Sequence, residues 1–363
     1  MIEIIIAFTG FLLSFVLFAR LRVLKAAKAP PEPCRISVII PARNEEKNLP
    51  LLLEDLARQT YLPFEILVVD DCSTDGTAGA ARAFDVRLIS VTDKPDGWTG
   101  KSYACQLGAE AARGALLLFL DADVRLAPGA IAALANDYAQ TGTAVSVQPY
   151  HQTGKPAYEQ LSMFFNLVQI AANGLALPFE NNHTGLYGPV IFISKDTYQA
   201  AGGHAVVKAS ITEDLALGEA LRRRGIPFAL RHGGQIISFR MYGQGLKPLL
   251  EGWSKNFATG ALKTPVLLLL AVFLWVASCM SAPYHLILLS FLPLRTYFWL
   301  YAVLYLCWIA VLWRITRSVG SFSPISVLFY PIPLLFFICV FILSLLMKLF
   351  GFRATWKDRK IKL

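Results

Sequence analysis

Apolar positions follow two rhythms along this chain. Residues 2–19 and 265–347 hold long runs in which nearly every position is apolar, whereas 35–260 alternates short apolar stretches with polar ones. Within that middle part, Arg35–Ile40, Glu65–Val69, Val86–Ser90 and Leu116–Leu120 read as strands. The last has five apolar residues in a row, as expected of a strand buried on both faces of a parallel sheet. Glu46–Gln59 reads as a helix with Leu49, Leu52, Leu53 and Leu56 on one face, and Lys101–Arg113 as another. A strand–helix alternation of this kind predicts an α/β fold, a mostly parallel sheet with helices on both faces. Beyond Gln140 the alternation loosens. Ala144–Gln148 and Val190–Ser194 read as strands and Asp214–Arg224 as a helix. Leu161–Phe179 is apolar but carries Asn166, Gln169 and Asn173, which fits a helix at a membrane surface or under a ligand better than a span.

The long runs add a membrane. Residues 1–20 predict an uncleaved transmembrane anchor, since no small-x-small cleavage site follows and Arg20, Arg22, Lys25 and Lys28 come next. A short stiff linker is expected at Ala29–Pro33, ahead of a globular domain over 35–240. Residues 241–264 read as an interfacial amphipathic segment, with Leu246, Leu249, Leu250 and Trp253 on one face, although an ordinary surface helix has the same look. Residues 265–347 form a C-terminal transmembrane region with runs at 265–294, 296–313 and 325–347, and 348–363 is a basic tail. Arg295 belongs at a boundary, because at a bilayer centre it would cost about 2.5–3.5 kcal/mol. Basic clusters beside spans mark the cytoplasmic face, so the expectation is a multi-pass plasma-membrane protein with its globular domain in the cytoplasm. Three spans would place the basic tail outside, and charge and parity then disagree.

Composition agrees with this division. The 363 residues are 55% hydrophobic, above the roughly 45–50% of soluble proteins. A net charge of +9 could mean nucleic acid, but much of it flanks the apolar runs, so no nucleic-acid partner is expected. Six cysteines with no Cys-x-x-Cys pair indicate neither a zinc site nor a disulfide framework.

The chemistry lies where strands end. Pro41-Ala-Arg-Asn-Glu45 closes the first strand, Asp70-Asp71 the second, and Asp121-Ala-Asp123 the strand at Leu116–Leu120. Any one of these could be a turn or a helix cap. Together they place acids along the rim where open α/β sheets bind ligands. Two carboxylates two residues apart on an extended segment share a side, which suits a hard divalent cation and, through it, a diphosphate.

These motifs make the chain resemble a family 2 glycosyltransferase of the GT-A (nucleotide-diphospho-sugar transferase) fold over about 35–260. The resemblance implies a UDP-sugar donor held by Pro41, Asn44, Glu45, Asp70, Asp71 and Asp121, with Asp71 on the uracil and Asp121 on the ribose. It implies a divalent metal, Mg²⁺ or Mn²⁺, at Asp123. Gly97-Trp-Thr-Gly-Lys-Ser-Tyr-Ala104 places Lys101 at the start of a helix, where a cation and backbone N–H groups can answer diphosphate charge. Its Gly-Trp-x-Gly-Lys form is similar to the subgroup acting on carotenoid acids (4,4'-diaponeurosporenoate-type), hopanoids and similar polyisoprenoids, which implies a membrane-lipid acceptor and transfer of a hexose, glucose first. Thr212-Glu-Asp214 would serve as a capping sequence, and the resemblance makes Asp214 the general base of an inverting transfer. The Gln-x-x-Arg-Trp of processive members has no match, which favours a single transfer. Trp253 could stack on a sugar or anchor in the interface, and Asp96, His204 and Arg240 are further acceptor-side candidates. Two other readings stay open: a nucleotidyltransferase, and a non-catalytic membrane scaffold that keeps a nucleotide-binding fold.

Overall fold

The computed structural model describes residues 2–26, 34–179, 184–291, 295–350, 353–356 and 359–362. The expected linker Ala29–Pro33, like Lys28, lies outside them. Helix α1 (Ile2–Leu17) precedes the globular domain. There the chain runs β1 (Ile36–Ala42), α2 (Leu49–Ala57), β2 (Glu65–Asp70), α3 (Thr77–Arg82), β3 (Arg87–Ser90), α4 (Gly100–Ala111) and β4 (Leu116–Leu120). It continues with β5 (Val124–Leu126), α5 (Ala130–Thr141), β6 (Ala144–Gln148), β7 (Tyr150–His151), α6 (Met163–Ala172) and β8 (Val190–Ser194). The domain closes with α7 (Lys195–Ala200), α8 (Glu213–Arg223), β9 (Phe228–His232) and β10 (Ile237–Phe239).

Seven strands form one sheet in the order β3-β2-β1-β4-β8-β6-β9, parallel except where β8 pairs with β4 and β6. All five residues of β4 are buried, as its unbroken apolar run requires. Leu49, Leu52, Leu53 and Leu56 of α2 are buried on the sheet. The helix begins at Leu49, not Glu46, with Pro50 in its first turn, where the missing N–H costs nothing. β1 runs on through Pro41 to Ala42, pairing Pro41 with Val69 and Ala42 with Asp70. This extension carries the next turn, Arg43–Glu45, beyond the sheet's edge.

A second, three-stranded sheet, β5-β10-β7, sits past the end of β4. Asp121, Ala122 and Asp123 fill the step between β4 and β5, and thus between the two sheets. Arg125 of β5 grips Asp55 of α2 through both carboxylate oxygens, Nε to Oδ2 at 2.6 Å and an Nη to Oδ1 at 2.9 Å, which fixes that step against the large sheet.

The rest of the chain is α9 (Leu246–Lys263), α10 (Val266–Ser290), α11 (Arg295–Val319), the short α12 (Pro324–Leu328), α13 (Pro331–Leu349), and a hairpin of β11 (Arg353–Trp356) and β12 (Arg359–Lys362). Val266–Ser290, Tyr297–Val319 and Pro331–Leu349 are long and apolar enough to cross a membrane. At about 1.5 Å per residue α1 is some 24 Å long, shorter than the ~30 Å hydrocarbon core. It lies antiparallel to α10: Glu3 meets His285, the Ser278 hydroxyl donates to the Ala7 carbonyl, and Trp275 Nε1 donates to Ser14 Oγ at 2.9 Å. Gly10 allows that approach, since a Cβ there would stand 2.6 Å from the Leu274 carbonyl. α6 is buried among these helices, with Phe164 and Phe165 in the same apolar cluster as Trp275, Trp308 and Phe337. It is therefore neither a span nor a surface helix.

Candidate active site

The ends of β1, β2 and β4 are neighbours in the sheet, so the three acidic turns meet. Polar groups lace the first two together. Asn44 takes a left-handed φ of 52°, which asparagine tolerates, and its Oδ1 accepts from the Thr74 N–H at 2.9 Å. Glu45 N–H donates to Thr77 Oγ1 at 2.8 Å, and Arg43 donates to the carbonyls of Asp71 and Cys72. The side chains of this rim line one cavity of about 2160 Å³, and among them are Pro41, Asn44, Glu45, Asp71, Lys101, Asp121, Asp123 and Asp214.

Asp70 is the exception. It does not border the cavity, and its Oδ1 accepts the Ser73 N–H at 3.1 Å. Adjacent residues at a strand end point opposite ways. Of the pair expected to hold the donor, the structure thus brings Asp71 to the cavity, while Asp70 lies outside its lining and holds the loop at Ser73.

Lys101 sits in the first turn of α4, whose Thr99 cap accepts the Ser102 N–H. Its ammonium lies 2.6 Å from Asp121 Oδ1 and 3.2 Å from Glu213 Oε1. Burial works against the charge on Lys101, but the two carboxylates outweigh it and hold the lysine well above its usual range. The lysine therefore neutralises the wall of the site itself. Glu213 was not singled out in the sequence, where Thr-Glu-Asp offered it only as a helix-start acid.

Asp214 opens α8 and reaches into the cavity beneath Gly188. Its Oδ2 accepts the Gly188 N–H at 2.9 Å and its Oδ1 the Leu215 N–H at 2.8 Å. A Cβ on residue 188 would lie 3.0 Å from that Oδ2, so glycine lets the loop close on the acid. Burial, then the charge of Glu213, pushes Asp214 up to about 6. The Asp214 carboxylate thus ties two backbone N–H groups together and still borders the cavity, with its proton affinity raised towards neutrality.

Two other expectations change. His204 is a buried core histidine below the acids, with its Nδ1 2.8 Å from the Tyr198 hydroxyl; burial pushes it down to about 4, so it is neutral and not an acceptor-side group. Trp253 is only 2% exposed and stacks on Phe165 with ring centroids 4.6 Å apart, which excludes an anchor in the headgroup layer. Its ring lines the cavity. Arg240 lines it too, paired with Glu159 at 2.6 Å; Asp96 does not border it. Gln148, Gln152 and Gln169 add neutral amides that no sequence motif marked, because they come from separate elements.

From this rim the cavity continues along Gly260 and Thr264 of the α9 end to apolar side chains of α10 and α13. Such a fold and site define a GT-A nucleotide-sugar transferase carrying a membrane module. Residues 37–199 match Glycosyl transferase family 2. The 4,4'-diaponeurosporenoate glycosyltransferase of Staphylococcus aureus (strain USA300) is 34% identical over 342 residues, 90% of this chain and 88% of that protein. The protein of that name from Staphylococcus haemolyticus (strain JCSC1435) is 40% identical over 254 residues, 68% of this chain and 67% of its own. Among solved structures, the mannosyltransferase PcManGT from Pyrobaculum calidifontis, in complex with GDP-Man and Mn2+, has a TM-score of 0.51 at 18% identity, covering 86% of this chain and 96% of that one. This chain belongs to glycosyl transferase family 2 and is a glycosyltransferase.

Proposed function

We propose that the chain moves a hexose, glucose first, from a UDP-sugar to a carotenoid-type acid in the membrane, with inversion at the anomeric carbon. One observation carries this reading: the acid rim and the apolar helices border the same cavity, so a sugar nucleotide from water and a lipid can meet in it. Relatives named for a carotenoid acid, similar over most of the chain, support the acceptor.

In this scheme Asp71 holds the base, Asp121 the ribose, and the turn Pro41–Glu45 the rim around them. Among the described residues no three His, Cys, Asp or Glu cluster to hold a metal by themselves. Asp123 borders the cavity two residues from Asp121, and its carboxylate oxygens would suit a hard cation, Mg²⁺ or Mn²⁺, completed by donor phosphate oxygens. When bound, such an ion would act as a Lewis acid towards the diphosphate. The acceptor oxygen attacks C1, the bond from C1 to the diphosphate breaks, and UDP leaves with that electron pair. Asp214 takes the proton of a hydroxyl acceptor; a carboxylate arrives ionised and needs only to be oriented. The test is transfer from UDP-glucose to carotenoid acids in membranes holding the purified enzyme. A glucosyl ester and one UDP per product are expected, and release of pyrophosphate in place of UDP would refute the reading.

Contacts between the helices and the catalytic domain support one reading of the membrane topology. Ser321 N–H donates to the His151 carbonyl at 2.9 Å, so α11 returns to the catalytic domain. The chain then dives: the Tyr305 hydroxyl donates to the Leu328 carbonyl at 2.7 Å and the Tyr330 hydroxyl to the Cys279 carbonyl at 3.1 Å, near the middles of α11 and α10. α13 comes back to α9, where the Ser344 hydroxyl donates to the Ser254 carbonyl. We infer that α10 and α11 cross as a hairpin while α12 and α13 re-enter and return to the catalytic, cytoplasmic side. Arg314 and Arg317, both exposed, lie at the same end. This arrangement removes the conflict between charge and parity. Single cysteines at Phe350 and Asp196, in a background without the native six, should react with an impermeant maleimide from one side, and a cysteine at Phe291 from the other. Labelling of position 350 together with 291 would make α13 a full crossing.

A further inference from the structure

Resting on the lipid-acceptor reading above, we propose that the acceptor's apolar chain lies in the groove between α10 and α13 and enters it sideways from the leaflet. The groove is the apolar arm of the cavity that contains Asp214. Val272, Val276 and Met280 form one wall and Phe337 and Phe341 the other, each a stripe at helical spacing. Phe273 and Ile342 border the cavity and are 72% and 50% exposed on the outer, lipid-facing surface, so the groove is open along its side. From Leu269 to Met280 it follows α10 for roughly 16 Å. Next to Met280 at its far end, the wholly buried Tyr330 donates to the Cys279 carbonyl.

The occupant is a single extended hydrocarbon chain with a carboxyl or hydroxyl head. Lipid tails and the groove are equally apolar, so little drives a chain in beyond packing; the groove gives alignment, with the head directed along the cavity towards Asp214. A chain that slid in sideways would never be drawn through water, a passage opposed by every methylene. The re-entry of α13 builds the second wall.

The test uses full-length enzyme in phosphatidylglycerol vesicles, UDP-glucose, and two acids: all-trans-retinoic acid as the long-chain probe and sorbic acid as a short one. Ala277→Trp and Ile338→Trp, filling the groove from either wall, should lower kcat/KM for retinoic acid by about tenfold or more and leave sorbic acid transfer and UDP affinity unchanged. Leu267→Trp, on the outer face of α10, serves as the control and should match the wild type. Equal retinoic acid rates in all variants, or an equal loss on both acids, would overturn the groove. Wild-type enzyme that glucosylates no membrane acid would instead sink the acceptor reading on which it rests.

Discussion

Asp214→Asn is expected to lower kcat for a hydroxyl acceptor by about 10²–10⁴-fold, the range for loss of a positioned general base. Donor affinity should stay unchanged, because Asp71, Asp121 and Asp123 are untouched. The pH profile makes the prediction specific. Burial and Glu213 push Asp214 up to about 6, and only the ionised form can take a proton. The wild-type rate should therefore climb as pH rises through about 6 and level off above it. In the Asn variant that limb should vanish. A carboxylate acceptor is already ionised across this window, so with it both the limb and the loss should be small. Asp214 also locks the loop at Gly188 through a 2.9 Å hydrogen bond. Were that its whole role, the variant would lose activity equally on both kinds of acceptor and keep the shape of its pH profile.

Much of this site is legible before any coordinates, for a physical reason. Parallel strands buried on both faces must be unbroken apolar runs, so β1, β2 and β4 announce themselves, and so do the acids where they stop. Pairs are harder. Asp70-Asp71 reads as one motif, yet strand alternation turns only one carboxylate to the cavity, a rule that could have been applied to the sequence alone. Glu213 was hidden because an acid in a first helical turn is ordinary, and its meeting with Lys101 spans more than a hundred residues. The second sheet was missed altogether: strands of two or three residues carry no periodicity. The proposed return of α13 is invisible for another reason. Length and apolarity describe a helix able to cross, and the reading that this one turns back rests on tertiary hydrogen bonds from Tyr305, Tyr330 and Ser344. Trp253 shows the same limit, since an amphipathic stripe fits a bilayer surface and a protein core equally well until its partner, Phe165, is known.

Lys101→Met is expected to be the second most damaging change, and through electrostatics, not fit. The methionine keeps most of the stem, but Asp121 and Glu213, ion-paired to the ammonium at 2.6 Å and 3.2 Å, lose their counter-charge. Carboxylates crowded on one rim without a cation favour taking up protons. Burial already raises Asp121, and Lys101 opposes that rise directly. The donor brings its own negative diphosphate to this rim, so its affinity should fall by about 10- to 100-fold, the effect of one to two pK units of lost interaction. Asp214 should report the change from a distance. Lys101 also helps to hold its proton affinity down, so removing the ammonium should move the acidic limb of the hydroxyl-acceptor pH–rate profile upward from about 6. Lys101→Arg should restore most of the limb's position even if its bulk weakens donor binding. A Lys101→Met enzyme with weaker donor binding but an unmoved limb would mean that the lysine contacts the donor and does nothing for the base.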